Sequence, residues 1–346
     1  MGTFSQMRFL LYVTRVKFMQ VLICVALFLV GLVVIIKGAD WMTDGAAAIA
    51  KRYGISTMVI GMTIVAIGSS APEFVVSALA SFEGNTDMAI GNVVGSNIFN
   101  ILAIMGATAF VSPVASSKGN IRYDLPFVIL SSLAVLFSAF DGIFTPGAVN
   151  EISRSEGMLM LCLFAVYIGY TLTIAKKPGT EPLKSDVERQ ENSSAEVKPL
   201  WKCVLLIVVG LALLLFGGDW LVEGASGIAI ALGVNQSVVA LTIVSIGTSA
   251  PELASSIMAA RKGDTDMALG NVVGSVVFNV FFVLGVAAVI NPLALGNISL
   301  VDIVTLLLSS VFLWAFCKTH SALGRGEGLI MIIVQVIYYA LLIWQA

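Results

Sequence analysis

Charged side chains are scarce in this sequence: Asp, Glu, Lys and Arg make up 12% of its 346 residues. A typical soluble domain has roughly 25%. Because 58% of the residues are hydrophobic, the composition predicts a multi-pass protein of the lipid bilayer. The formal net charge is only -2, and the charges gather between apolar segments, so no nucleic-acid partner is expected.

Histidine and cysteine are also rare. The single histidine, His320, falls in a short polar connection, which excludes catalytic schemes that need a histidine at membrane depth. The four cysteines all fall in apolar runs, and we interpret them as small core hydrophobes rather than disulfides or metal ligands. The residues predict no cofactor and no enzyme.

Long apolar runs fill most of the chain. Residues 1–18 form an N-terminal extension, which is either an interfacial helix or a segment ahead of a natural start at Met7 or Met19. Residues 176–201 are rich in Lys, Glu, Ser and Pro and predict a solvated hinge. The apolar runs predict ten spans, at 21–46, 56–81, 88–112, 123–141, 157–175, 202–225, 235–260, 267–291, 301–317 and 327–344.

The positions of the basic residues predict the orientation of these spans. The connections that follow odd-numbered spans hold 14 Lys and Arg, and the other side holds 4. Since cytoplasmic loops carry the excess of basic residues, the hinge is predicted to be cytoplasmic. Both termini are then predicted to lie on the outer side of the cytoplasmic membrane. Three basic residues before the first span oppose this orientation.

The two halves of the chain, 19–175 and 202–346, repeat one sequence at an offset of 179 residues. Residues 63–106 and 242–285 are identical at 25 of 44 positions. Five spans in each half, an odd number, require the second copy to enter the membrane inverted. The sequence therefore predicts an all-α fold of ten transmembrane helices in two inverted five-helix repeats, which is a transporter architecture.

The first repeated motif is GMTIVAIGSSAPEF at 61–74, which recurs as ALTIVSIGTSAPEL at 240–253. Pro72 and Pro251 remove a helical N–H and predict helices broken at the membrane midplane, with carbonyls freed near Ala66 and Ser245. A carboxylate at this depth costs roughly 2.5–3.5 kcal/mol and usually marks an ion pathway. Hydroxyl and carboxylate oxygens suit hard cations such as Ca2+. The residues that supply them in the two copies are Ser69, Ser70, Glu73, Thr248, Ser249 and Glu252. The alternative is that these hydroxyls only bond to their own helix or hold neighbouring helices together.

The second motif is GNVVGSNIFN at 91–100, repeated as GNVVGSVVFN at 270–279. Its GxxxG spacing predicts close helix packing. Asn92, Ser96 and Asn100 fall on one polar face. Asn100 and its equivalent Asn279 are either cation ligands or interhelical hydrogen-bond partners, and both interpretations stay open. The acids just before these helices, Asp87 and Asp266, are predicted to be N-caps, while Asp40 and Asp219 are assigned to helix capping or an entrance.

The two motifs together resemble the alpha repeats, here 61–106 and 240–285, of sodium/calcium exchangers in the calcium:cation antiporter superfamily, in particular prokaryotic members. The resemblance covers nearly the whole chain from Met19. It implies exchange of Na+ for Ca2+ as transported substrates, with the glutamates holding Ca2+. The cation ligands implied by the resemblance are Ala66, Ser69, Ser70, Glu73, Ser96 and Asn100, and Ser245, Thr248, Ser249, Glu252, Ser275 and Asn279. Potassium-dependent members carry Asp where this chain has Asn279, so potassium dependence is not expected.

The expected mechanism is alternating access in a monomeric unit, with Na+ entry driving Ca2+ out. A proton/calcium or other cation/divalent antiporter is the alternative, although that branch usually has a carboxylate after its Gly-Asn pair. A cation channel is less favoured. So is an intramembrane hydrolase, because no base other than the glutamates lies near Ser70 or Ser249. Since protons and Ca2+ compete for paired carboxylates, transport should weaken at acid pH.

Overall fold

The computed structural model describes residues 2–144, 149–175, 199–233, 245–296 and 298–345. In the first half, short segments of π-helix occur at Gly61–Val65, Asn100–Ile104 and Asn120–Asp124. The α-helices of this half are α1 (Gly2–Tyr53), α2 (Thr57–Ile60), α3 (Ala66–Ser69), α4 (Ala71–Phe82), α5 (Thr86–Phe99), α6 (Met105–Val111), α7 (Leu125–Ala139), α8 (Asp141–Phe144) and α9 (Arg154–Ala175).

The second half repeats this order, with a π-helical segment at Phe278–Leu284. Its α-helices are α10 (Leu200–Ala231), α11 (Ser245–Thr248), α12 (Ala250–Arg261), α13 (Thr265–Val277), α14 (Gly285–Ile290), α15 (Leu300–His320) and α16 (Arg325–Gln345). Four two-residue strands tie the halves together in antiparallel pairs, β1 with β4 and β2 with β3: β1 (Val114–Ala115), β2 (Glu151–Ile152), β3 (Leu293–Ala294) and β4 (Ala322–Leu323).

Eight helices within the described ranges are long and apolar enough to cross a membrane. A ninth span results if the pair Thr57–Ser69 and Ala71–Phe82, bent by 48°, is counted as one. These nine correspond to nine of the ten predicted spans. The other predicted span, 235–260, begins within residues 234–244, which lie outside the described part of the chain. Most of the predicted hinge, residues 176–198, also lies outside it.

The first helix is longer than its predicted span. It runs without a break from Gly2 to Tyr53, so the predicted boundary at residue 18 is not the end of a helix. The sequence holds no proline before residue 72, and nothing interrupts the hydrogen-bond ladder. Gly54 follows the last turn with φ +63°, a left-handed conformation that ends helices and favours glycine.

Helices α1 and α10 cross at very short distance along a seam of glycines. A Cβ atom on Gly38 would lie 2.7 Å from the Gly210 carbonyl oxygen, and one on Gly217 would lie 2.9 Å from the Ile35 nitrogen. Such contacts are possible only without a side chain. The glycines recur every seven residues in both helices, at 31, 38 and 45 and at 210, 217 and 224.

The GxxxG packing prediction is confirmed for the second copy. A Cβ on Gly270 would lie 2.5 Å from the Met58 oxygen, and one on Gly274 would lie 2.6 Å from the Met62 oxygen. For Gly91 and Gly95 the equivalent partners fall at 237–241, outside the described residues. Helix α13 therefore packs directly onto the segment that leads into the first broken helix.

The motif helices form the centre of the molecule. In the spans Thr86–Val111 and Thr265–Ile290, 78% of the most apolar stretch is buried, against 11–39% in the other six. Ser132 in α7 and Ser310 in α15 share a hydrogen bond of 2.7 Å between their hydroxyls. The two halves therefore share one interior, and the peripheral helices present apolar side chains outward.

Candidate cation-binding site

Two broken helices present the repeated Pro-Glu pairs of the first motif. Ser70 lies at the break between α3 and α4, with φ −83° and ψ 10°. Ser249 lies at the break between α11 and α12, with φ −91° and ψ 8°. Pro72 and Pro251 lie in the first turn of the following helix, where the missing N–H has no intrahelical partner to lose. The predicted breaks are therefore present in both halves.

Glu73 and Glu252 follow these prolines and are fully buried. Both lie in the first turn of their helix, where the helix dipole favours a negative charge. The favourable dipole is worth about 1 kcal/mol, which is less than the cost of burying a carboxylate without a partner. Other groups must therefore stabilise them.

Hydroxyl groups connect the two breaks. Ser70 Oγ donates to Glu252 Oε1 at 2.8 Å, and Ser249 Oγ donates to Glu73 Oε1 at 3.2 Å. Because each half supplies a hydroxyl to the carboxylate of the other half, the four side chains form one cluster. The two bonds are equivalent under the offset of 179 residues.

One oxygen of each carboxylate remains without a protein partner. Glu73 Oε2 and Glu252 Oε2 are buried and accept no hydrogen bond from the residues that the structure describes. Within the same residues, no group of three or more His, Cys, Asp or Glu side chains could hold a metal. The negative charge at this site is thus limited to two carboxylates, which would balance one divalent cation.

The Ser69 hydroxyl contacts residues of both halves. Ser69 Oγ lies 3.3 Å from the Ala66 carbonyl oxygen and 3.4 Å from Asn271 Oδ1. In the second half, Ser245 begins α11, and the half-buried Thr248 ends it. The Ala66 carbonyl also accepts from the Ser70 N–H at 3.0 Å, so it is shared rather than freed.

The second motif adds four buried polar side chains around the same cluster. Ser96 is buried in α5. Ser275 Oγ, both amide atoms of Asn100, and Asn279 Oδ1 have no hydrogen-bond partner in the described ranges. Asn279 Nδ2 donates to Asn97 Oδ1 at 3.0 Å. The interhelical bond, one of the two interpretations of Asn279, therefore exists, and the amide oxygen has no hydrogen-bond partner among the described residues.

Both asparagines lie in π-helical segments, Asn100 at the start of Asn100–Ile104 and Asn279 within Phe278–Leu284. A π-helical turn loosens the backbone ladder and is frequent at functional sites. The segment with Asn279 packs against α4, and the segment with Asn100 packs against α12. Each π-helical segment therefore packs against the glutamate-bearing helix of the opposite half.

Two asparagines that the sequence reasoning left unassigned fix the broken helices. Asn92 Nδ2 donates to the Glu73 carbonyl at 3.1 Å and to Ser77 Oγ at 2.9 Å. Asn271 Nδ2 lies 3.4 Å from the Glu252 carbonyl oxygen and donates to Ser256 Oγ at 2.8 Å. Their position on the polar face of the second motif is the sequence feature that could have predicted this role.

The N-cap predictions for Asp87 and Asp266 are wrong. The capping side chains are Asn85 and Asp264, which accept from the N–H groups of Met88 and Met267. The preceding glycines adopt φ +78° and +80°, and this turn starts each helix two residues earlier than expected. Asp266 instead accepts from Asn120 Nδ2 at 3.2 Å.

Asp40 lies outside the carboxylate cluster. Lys262 Nζ forms ion pairs of 2.7 Å with Asp40 Oδ1 and with Asp44 Oδ1, and it also donates to Thr43 Oγ1 at 3.0 Å. These contacts join α1 to the end of α12. Asp219, the equivalent of Asp40, is exposed in α10.

A bundle of long apolar helices with a buried pair of carboxylates at two helix breaks defines a multi-pass membrane transporter. Comparison with known proteins gives the family. Residues 23–173 and 202–344 match the family described as sodium/calcium exchanger protein. The chain belongs to the sodium/calcium exchanger family.

Related proteins are similar over almost their full length. Sodium/calcium exchanger MaX1 of Methanosarcina acetivorans is 30% identical over 348 residues, which covers 92% of this chain and 98% of MaX1. Inner membrane protein YrbG of Escherichia coli K12 is 32% identical over 330 residues, covering 93% and 98%. A structure of the sodium-calcium exchanger NCX_Mj, soaked with zero Na+ and Ca2+, superposes with a TM-score of 0.77 at 31% identity, covering 93% of this chain and 99% of that one.

Proposed function

We propose that the protein is a secondary antiporter that exchanges Na+ for Ca2+ across the cytoplasmic membrane and normally extrudes Ca2+. The observation that carries this proposal is the reciprocal pair of bonds between Ser70 and Glu252 and between Ser249 and Glu73, with one carboxylate oxygen left over on each side. Two carboxylates balance one Ca2+, and the hydroxyls and amides around them supply the further oxygens that Ca2+ requires.

The proposed ligands are the twelve residues of the two motifs. The two glutamates bind Ca2+ and share Na+, and the flanking carbonyl and hydroxyl groups bind Na+. Family membership supports this assignment, as does the burial of unpartnered oxygen atoms among the described members of the set. The ligands are Ala66, Ser69, Ser70, Glu73, Ser96, Asn100, Ser245, Thr248, Ser249, Glu252, Ser275 and Asn279.

Exchange follows from competition for shared oxygens. Several Na+ ions and one Ca2+ cannot occupy the same two carboxylates at once, because two negative charges do not neutralise both loads. Na+ that enters down its gradient displaces Ca2+ to the other side. The site is an all-oxygen site without thiol or imidazole groups, which suits Na+ and Ca2+ and does not suit softer transition metals.

Alternating access requires two inverted halves, which we assign as ten spans with residues 176–201 in the cytoplasm and both termini outside. Contacts that repeat at the offset of 179 residues support the assignment: the serine–glutamate bonds form one such pair. The bonds from Asn92 and Asn271 to the glutamate carbonyls form another. One site at the interface of two matched halves is the arrangement found in such transporters.

The ion pairs of Lys262 indicate which side of the site is closed. They tie α1 to the end of α12, along which α1 packs. The equivalent pairing, α10 with α4, is nearly absent among the described residues. In the proposed orientation Lys262 lies at the cytoplasmic face, and its ion pairs support a state that is closed toward the cytoplasm.

On the opposite face an acid stands at the position equivalent to Lys262. The residue equivalent to Lys262 is Glu83, and the residues equivalent to its two partners are Asp219 and Glu223. All three acids are exposed. Like charges repel, so closure of the outer face gains no such ion pair.

Reconstituted vesicles test the proposed function. Vesicles loaded with Na+ and diluted into Na+-free buffer with radiolabelled Ca2+ should accumulate Ca2+, and vesicles loaded with choline should not. Saturable counterflow with unlabelled Ca2+ separates a carrier from a channel. Uptake that requires a pH gradient and ignores Na+ would replace this proposal with proton/calcium exchange.

A further inference from the structure

We propose that Asn97 is a positioning residue that fixes the amide of Asn279 and thereby sets the cation preference of the site. The inference rests on the proposed function, because it assumes that Asn279 Oδ1 faces a transported cation. Asn97 is fully buried in α5. Its Nδ2 donates to the Val276 carbonyl oxygen at 3.1 Å, and its Oδ1 accepts from Asn279 Nδ2 at 3.0 Å.

The direction of this chain of bonds follows from its first member. A backbone carbonyl can only accept, so the Asn97 atom that faces Val276 must be the amide nitrogen. The other amide atom of Asn97 is then its oxygen, which also can only accept. Asn279 must therefore present its own nitrogen to Asn97. Its oxygen is left pointing away, buried and without a hydrogen-bond partner in the part of the chain that the structure describes.

The same device is missing from the other repeat. The residue equivalent to Asn97 is Val276, which contributes only its backbone carbonyl to the chain of bonds. Asn100, the equivalent of Asn279, has both amide atoms buried without a hydrogen bond to any described residue. One amide is thus held by Asn97 with its oxygen unpartnered, and the other makes no hydrogen bond to the described residues.

The lock also restricts which side chain residue 279 can have. An ionised aspartate there would place a carboxylate oxygen against Asn97 Oδ1, and two acceptors at 3.0 Å repel. Asn97 therefore favours an amide over a carboxylate at position 279 and keeps the number of negative charges at two. A site with two charges neutralises Ca2+ without an additional monovalent cation.

Binding titrations with purified protein test the inference. Ca2+ affinity is measured calorimetrically with and without NaCl for the wild type, Asn97→Val, Asn279→Asp and the double variant. Asn97→Val should weaken Ca2+ binding about tenfold, the loss expected for one misplaced ligand, and should change the ratio of Na+ to Ca2+ affinity. Asn279→Asp should weaken binding more strongly alone than in the Asn97→Val background, where the facing acceptor is gone.

Controls separate positioning from folding. Ile98→Val alters the packing of the same buried helix without a polar group and should leave both affinities unchanged. Asn97→Leu, which keeps the branched shape, is measured if Asn97→Val fails to fold. Unfolding temperatures without Ca2+ report the structural cost of each substitution.

Additive effects of the two substitutions, or an unchanged Na+ to Ca2+ ratio in Asn97→Val and Asn97→Leu, would overturn the role of Asn97 while leaving the proposed function intact. A wild-type protein whose Ca2+ binding is insensitive to Na+ would overturn the proposed function, and this inference with it.

Discussion

Replacing Glu252 by glutamine removes one of the two negative charges with little change in shape. The amide oxygen can still accept from Ser70, which now donates to Oε1 at 2.8 Å. The amide nitrogen takes the place of Oε2, which has no hydrogen-bond partner among the described residues. The variant is therefore expected to insert and fold, and to differ from the wild type mainly in charge.

The size of the effect follows from the charge of the ion. Two unit charges about 4 Å apart interact by about 4 kcal/mol at an effective dielectric constant of about 20. Ca2+ carries two charges and lies closer to its ligands, at about 2.3–2.6 Å. Desolvation offsets part of the gain. A loss of at least about 4 kcal/mol remains, which raises the dissociation constant for Ca2+ by about a thousandfold.

Thermal unfolding of purified protein and vesicle uptake measure this loss together. Ca2+ at a hundred times its dissociation constant should stabilise the wild type by about 2.7 kcal/mol. The same concentration should leave the unfolding temperature of Glu252→Gln unchanged, and transport should be abolished. Glu73→Gln should behave identically because the two glutamates hold equivalent positions.

The matched control is Glu83→Gln, which makes the same change of charge at an exposed position just after α4. It should retain Ca2+ stabilisation and transport. Substantial transport by either buried glutamine variant, with Glu83→Gln normal, would refute the two-carboxylate site.

Three further predictions concern the surroundings of the site. Apparent Ca2+ affinity in vesicles should fall from about pH 8 to about pH 6, because protons bind the same carboxylates; an unchanged affinity would contradict this. Gly38→Ala should lower the free energy of unfolding by about 1–3 kcal/mol, the usual cost of overpacking, since the new Cβ would lie 2.7 Å from the Gly210 oxygen; Gly169→Ala, at an exposed glycine of α9, should not destabilise the protein. Lys262→Gln should shift the transport affinities by no more than about fivefold, because partly exposed ion pairs contribute about 1 kcal/mol or less; a larger shift with unchanged unfolding would show that the pair does more than close one face.

Local sequence chemistry was enough to predict the helix breaks. Proline followed by glutamate inside an apolar run determines where a helix must restart, and its repetition 179 residues later ties both copies to one function. The breaks at Ser70 and Ser249 follow this pattern. The prediction succeeded because the loss of a proline N–H is a local effect that tertiary packing cannot reverse.

Contacts between distant residues could not be predicted in the same way. The sequence gives no sign that Ser70 bonds to Glu252 rather than to its own helix, because the partner depends on how the halves pack. The N-caps were misassigned for a local reason: the left-handed glycines at 84 and 263 shift each helix start by two residues. The glycine seam of α1 and α10 had a readable signal, the seven-residue spacing, which a search for GxxxG alone overlooks.

A titration of purified protein with Ca2+ in rising concentrations of NaCl tests the shared site most directly. If Na+ and Ca2+ occupy the same carboxylates, the apparent dissociation constant for Ca2+ should rise with more than the first power of the Na+ concentration, because several Na+ ions displace one Ca2+. KCl at equal ionic strength should have little effect. A dissociation constant that is the same in NaCl and KCl would contradict the account.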